Sequence, residues 1–157
     1  MNGLQPVEFR LDGQFFYWIQ GWCSERFSPR GGEVVALPRQ PGAAIVIAPG
    51  ERKLQPRDLW VGDGGVYWRS TQGIRHVAKA PFRPPVTVVE GNVDSLVVSG
   101  RAVFFARKDG VYWLDPGRRE PKRIAADGDA RDLVADDRFL YWRRSDPGQI
   151  LRLRRPD

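Results

Sequence analysis

The chain has 157 residues, enough to bury one core, and 41% hydrophobic with 28% charged residues excludes a disordered polymer. A single cysteine, Cys23, excludes an intrachain disulfide and a cysteine-built metal cluster, and no apolar run approaches the ~20 residues that span a bilayer. The formal charge is +6, with 21 Arg and four Lys spread along the whole chain; that spread argues against nucleic acid as the partner and fits an arginine-favouring coding bias.

In chain order, Leu4-Gln5-Pro6 leads into VEFRLDG and then QFFYWIQ, and Leu54-Gln55-Pro56 leads into RDLWVGDG and then GVYWRS. The aromatic pairs Tyr17-Trp18, Tyr67-Trp68, Phe104-Phe105 and Tyr141-Trp142 set a register, with second members spaced by 50, 37 and 37 positions. Several short strands per period of this size signal a propeller or array. Single-domain repeat units are therefore expected at about 4–53, 54–92, 93–129 and 130–157.

Each unit divides into apolar runs rich in Val, Ile, Phe, Tyr and Trp, which suit a pleated surface, and no 3.6-residue pattern persists long enough to predict a helix. First strands are expected at Val7–Leu11, Asp58–Val61, Ser95–Val98 and Asp132–Ala135, and aromatic second strands at Phe15–Ile19, Val66–Arg69, Val103–Ala106 and Phe139–Arg143. Third strands fall at Glu33–Leu37, Ile74–Ala78, Val111–Leu114 and Gln149–Leu153, and fourth strands at Ala44–Ala48, Val86–Val89 and Lys122–Ala125. The last unit lacks a fourth. A Tyr-Trp pair in a strand sends one ring to each face, so each sheet offers a ring to each neighbour. The predicted fold class is all-β, a propeller-like array of about four short-stranded antiparallel blades with the last blade short of its outer strand. Such an array can close as four blades, stay open, or pair two copies into an eight-bladed ring.

The phrases DGQFFYW, DGGVYW and DDRFLYW, each followed by a turn and a strand such as GQILRLRR or GEVVALPR, resemble bacterial β-propeller repeats of the YWTD-like kind. The resemblance implies a propeller serving mostly as an interaction scaffold. Unit three departs with Val-Phe-Phe at 103–105, and about four units stand where such relatives have six to eight.

An insertion in unit one, Gly21 to Gly31, is expected as a long hairpin loop, and its Trp22 and Phe27 as an aromatic binding patch. Arg143, Arg144, Arg152, Arg154 and Arg155 form the densest basic cluster, read either as a partner-binding surface or as a solvated edge that blocks aggregation. His76 is the sole histidine, and a propeller hydrolase or lyase would need it beside Ser70, Ser95 or Ser99 and an acid. A strand histidine is more often structural. The acidic turns at Asp12-Gly13, Asp63-Gly64, Asp136-Asp137 and Asp127-Gly128-Asp129 invite a Ca²⁺ reading, but Asp-Gly is also the strongest short hairpin signal. We therefore expect no metal, no cofactor and no catalytic residue. The expected partner is a protein, or a second copy completing a larger ring, with no membrane span. The N-terminus lacks a signal-peptide pattern, so the compartment is cytoplasmic for a complete chain and extracytoplasmic if a leader has been removed.

Overall fold

A computed structural model describes residues 4–23, 29–49, 54–115, 120–146 and 148–156, with the backbone alone at 4, 5, 7, 22, 23 and 29–31. Among them there is no helix, and the chain is all-β and propeller-like, four antiparallel sheets in succession. Sheet 1 holds β1 (Leu4–Leu11), β2 (Phe15–Cys23), β3 (Pro29–Pro38) and β4 (Ile45–Ala48). Sheet 2 holds β5 (Arg57–Gly62), β6 (Gly65–Ser70), β7 (Gly73–Val77) and β8 (Val86–Glu90). Sheet 3 holds β9 (Ser95–Ser99), β10 (Ala102–Arg107), β11 (Gly110–Leu114) and β12 (Lys122–Ala125). Sheet 4 stops at three, β13 (Ala130–Ala135), β14 (Phe139–Arg144) and β15 (Gln149–Arg154). Each sheet is an up-and-down meander in chain order, with the aromatic second strand at an interior position.

Two expectations change. The first strand starts at Leu4 rather than Val7, and the described residues of the insertion are strand: Gly21 pairs with Gly32, Trp22 with Leu4 on one side and Arg30 on the other, and Cys23 with Pro29. The extra residues thus lengthen a hairpin instead of leaving it as a loop. Three neighbouring strands gain ladder bonds together, which satisfies backbone groups that a bare loop would leave to solvent.

The chain forms two compact units, Met1–Val61 with Gly65–Gly91, and Gly62–Gly64 with Asn92–Asp157. In the first, Tyr17, Ile19, Val34, Ala36 and Ile47 of sheet 1 pack on Leu59, Val66, Trp68 and Val77 of sheet 2. The Glu8 carboxylate stitches the two sheets, accepting from the backbone N–H of Asp58 at 2.9 Å and of Leu59 at 2.7 Å. In the second unit Ser95 Oγ, at the matching position of sheet 3, accepts from Leu133 N–H of sheet 4 at 3.0 Å. The donor sheets share a further device. Asp58 and Asp132, each within an Arg-Asp-Leu triplet, adopt positive φ of 51° and 52°. Each carboxylate then meets the arginine that follows Tyr-Trp, Asp58 with Arg69 at 2.7 Å and Asp132 with Arg143 at 2.9 Å.

Of the four aromatic pairs, Trp18 and Tyr141 are only half-buried. Tyr17, Tyr67, Trp68, Phe104, Phe105 and Trp142 are all buried. Tyr112 and Trp113 lie on β11, the third strand of its sheet, where Tyr112 stacks on Phe105 at 5.3 Å between centroids.

Candidate functional site

The outer edge of β15 has no pairing strand among the described residues, whereas β3, β7 and β11 each carry a fourth strand on that side. Arg155 N–H donates to Arg138 O at 2.9 Å. The alternation of an antiparallel ladder then turns the backbone N–H and C=O of Ile150, Arg152 and Arg154 toward the free edge. The strand's sequence keeps that edge wet: Gln149, Ile150, Arg152 and Arg154 are exposed, and Leu151 and Leu153 are half-buried.

The register brings most of the predicted arginines together. Phe139 lies opposite Arg154, Tyr141 opposite Arg152 and Arg143 opposite Ile150, so these six side chains share one face, with Val134 beside Tyr141. Arg152 sits over the Phe139 ring at 4.9 Å, a cation–π contact, and Arg143 is held by Asp132. Arg144 points to the opposite face, where its Nε donates to Asp127 at 3.2 Å. Asp127 is buried and also accepts from Trp142 Nε1–H at 2.8 Å. Burial pushes the Asp127 carboxyl up, but the Trp142 and Arg144 donors outweigh it and hold the group below its ordinary range.

Arg155 is not a solvated edge charge. Its guanidinium reaches Ser99 Oγ at 2.9 Å and Ser99 O at 3.3 Å, donates to Asp136 O, and lies 5.4 Å from the Phe104 ring centroid. It thereby ties the end of sheet 4 to the first turn of sheet 3. With Asp137, Arg138, Phe139, Arg154 and Pro156 it lines an open hollow of about 580 Å³ at the end of the free edge.

The turn above that hollow is built by Asp136. Its Oδ1 accepts from the N–H groups of Arg138 and Phe139, both at 2.7 Å, and its Oδ2 from the Tyr141 hydroxyl at 2.9 Å. Those donors hold the carboxyl below its ordinary range, and the same bond pushes the Tyr141 phenol up. Asp12 repeats the arrangement with Gln14 and Phe15 N–H and the Tyr17 hydroxyl. Burial opposes ionisation of Asp12, but the Gln14 and Phe15 N–H donors and the Lys79 ammonium prevail and lower it. The oxygens of Asp12 and Asp136 are thus engaged by turn N–H groups, a tyrosine hydroxyl and, at Asp12, the Lys79 ammonium, and no group of three or more His, Cys, Asp or Glu able to hold a metal exists among the described residues.

The remaining candidates separate. His76 lies against Tyr67 within sheet 2, the rings tilted by 32° with centroids 4.5 Å apart. Ser70 Oγ donates to Gly73 O and accepts from Gln72 N–H, Ser95 Oγ accepts from Leu133, and Ser99 Oγ accepts from Arg155. Each hydroxyl is a structural link where a triad would need a nucleophile. Trp22 is placed by its backbone in β2, while its side chain and all of Phe27 lie outside the described residues.

Sequence reasoning missed Val134, Phe139 and Ile150 as members of the exposed face. Their signal was period-two alternation in phase with Tyr141. No helix among the described residues is long and apolar enough to cross a membrane. Comparison with models of known protein families and with curated proteins gives no match.

Proposed function

We propose that this chain is a non-enzymatic interaction module of the YWTD-like propeller kind, which binds a protein partner by receiving an extended segment along β15. The reading is carried by one observation: sheets 1 to 3 each hold a fourth strand, and among the described residues no strand pairs with β15 on that side. Main-chain bonds to Ile150, Arg152 and Arg154 supply affinity, and the hollow at Phe139 and Arg155 supplies side-chain selection. The exposed arginines discourage indiscriminate edge pairing while favouring an acidic segment.

The test uses peptides selected from a random extended-peptide library on the intact chain. Binding should slow amide exchange at Ile150, Arg152 and Arg154, and Arg152→Pro, which deletes an outward N–H, should weaken it at least about tenfold. Unchanged affinity in a folded Arg152→Pro protein would overturn the proposal. A polyanion surface is a second reading, favoured by Arg143, Arg152 and Arg154 sharing a face. It requires heparin retention that falls steeply with salt, and a flat response excludes it.

A further inference from the structure

We infer that two copies of this chain associate head to tail, the outer face of sheet 1 in one copy docking on the arginine-bearing face of sheet 4 in the other. This uses a face of sheet 4, not the β15 edge, so it stands apart from strand addition.

In sheet 2 the face bearing Trp68 is the one that packs on sheet 1, through Leu59, Val66 and Val77. The matching residues of sheet 4 are Leu133, Leu140 and Trp142, all buried. In sheet 1 the same positions hold Phe9, Phe16, Trp18 and Leu37, equally apolar and by register on one face. Here, however, Phe9 is 59% and neighbouring Leu11 64% exposed, against 0% for Leu59 and 4% for Leu133. Sheet 1 carries the docking face of a following sheet, and that face is uncovered.

Sheet 4 offers the complementary surface. Tyr17, Ile19, Val34 and Ala36 of sheet 1 receive sheet 2. By register their counterparts in sheet 4 are Tyr141, Arg143, Ile150 and Arg152, flanked by Val134 and Phe139. Val134 is 59% and Ile150 80% exposed. Guanidinium groups among apolar side chains match a face rich in Phe and Trp.

One charged link favours a second copy as the partner. Lys79 follows the third strand of sheet 2 and pairs with Asp12 in the first turn of sheet 1 at 3.1 Å. Arg155 holds the same position after sheet 4 and reaches Ser99 in the first turn of sheet 3. The equivalent residue after sheet 1 is Arg39, which is exposed and donates to its own turn at Asp12 O, 3.4 Å away. The residue equivalent to Asp12 in sheet 4 is Asp136, built into an identical turn. Arg39 of one copy therefore has its receptor on the other, and each copy supplies both halves of the junction.

The test is mass by light scattering, with circular dichroism confirming fold. Wild type should weigh about twice 17.8 kDa. A head variant, Phe9→Arg with Leu11→Arg, and a tail variant, Val134→Glu with Ile150→Glu, should each be monomeric, since all four side chains are exposed. Mixed in equal amounts, the two should form a heterodimer through the one intact junction. Arg39→Glu alone should raise the dissociation constant about five- to tenfold. A monomeric wild type overturns the inference, as does a head or tail variant that keeps the wild-type mass, or a mixture that stays monomeric.

Discussion

Asp127 shows how one residue can hold a sheet together from outside it. It lies in the connection between β12 and β13, yet its two oxygens take the Trp142 and Arg144 donors of β14. Asp127→Asn keeps the shape but weakens both bonds, and should cost about 2–3 kcal/mol in urea unfolding. Trp68→Ala or Trp142→Ala should cost about 3–5 kcal/mol, as expected for emptying a large buried site. The acid response follows from the lowered carboxyls of Asp12, Asp127 and Asp136, whose ordinary value is 3.8. Because the folded values lie below the unfolded ones, their stabilisation is complete above about pH 5 and is lost as pH falls through the folded values. Melting temperature should be flat from pH 5 to 7 and drop below pH 4, and Asp127→Asn should show a shallower drop. Asp127 was visible in the sequence only as part of an acidic turn. The clue lay elsewhere, in a buried Trp whose indole N–H needs an acceptor.

At the scale of strands, glycines mark where a fourth strand crosses close. Gly73 and Gly110 open the third strands of sheets 2 and 3 with φ of 135° and 157°, and a Cβ at either would collide with the carbonyl of Val89 or Ala125 on the fourth strand. Gly148, beside the edge that lacks a fourth strand, has nothing within 4 Å of an added Cβ. Gly73→Ala should destabilise by more than about 1 kcal/mol in thermal unfolding, and Gly148→Ala should lie within about 0.5 kcal/mol of wild type. The strands themselves were legible, because branched and aromatic runs between Asp-Gly turns leave few alternatives. The extended β1–β2–β3 hairpin was not, since its glycines, cysteine and prolines carry little strand preference and are recruited by pairing. Nor was the role of Arg155, which depends on a neighbouring sheet 56 residues away in sequence.

For the whole molecule, the doublet is the unit that matters. Glu8 joins sheet 2 to sheet 1, and Ser95 joins sheet 4 to sheet 3. Glu8→Ala should cost about 2 kcal/mol and Ser95→Ala about 1 kcal/mol, and the double variant should show their sum, because the two sites share no partner. Hydrogen exchange should quicken in β5 for the first and in β13 for the second. A sum short by 1 kcal/mol or more would mean the two links are coupled. The alternation bears on heredity as well as stability. Odd sheets supply a side-chain acceptor, and even sheets answer with backbone N–H donors beside a left-handed Asp anchored by the arginine after Tyr-Trp. A recombination that inserts or deletes one 37-residue segment would make two like sheets consecutive in the chain and orphan one of these links. A gain or loss of 74 residues would preserve the alternation, so length variants of this chain should differ by pairs of sheets.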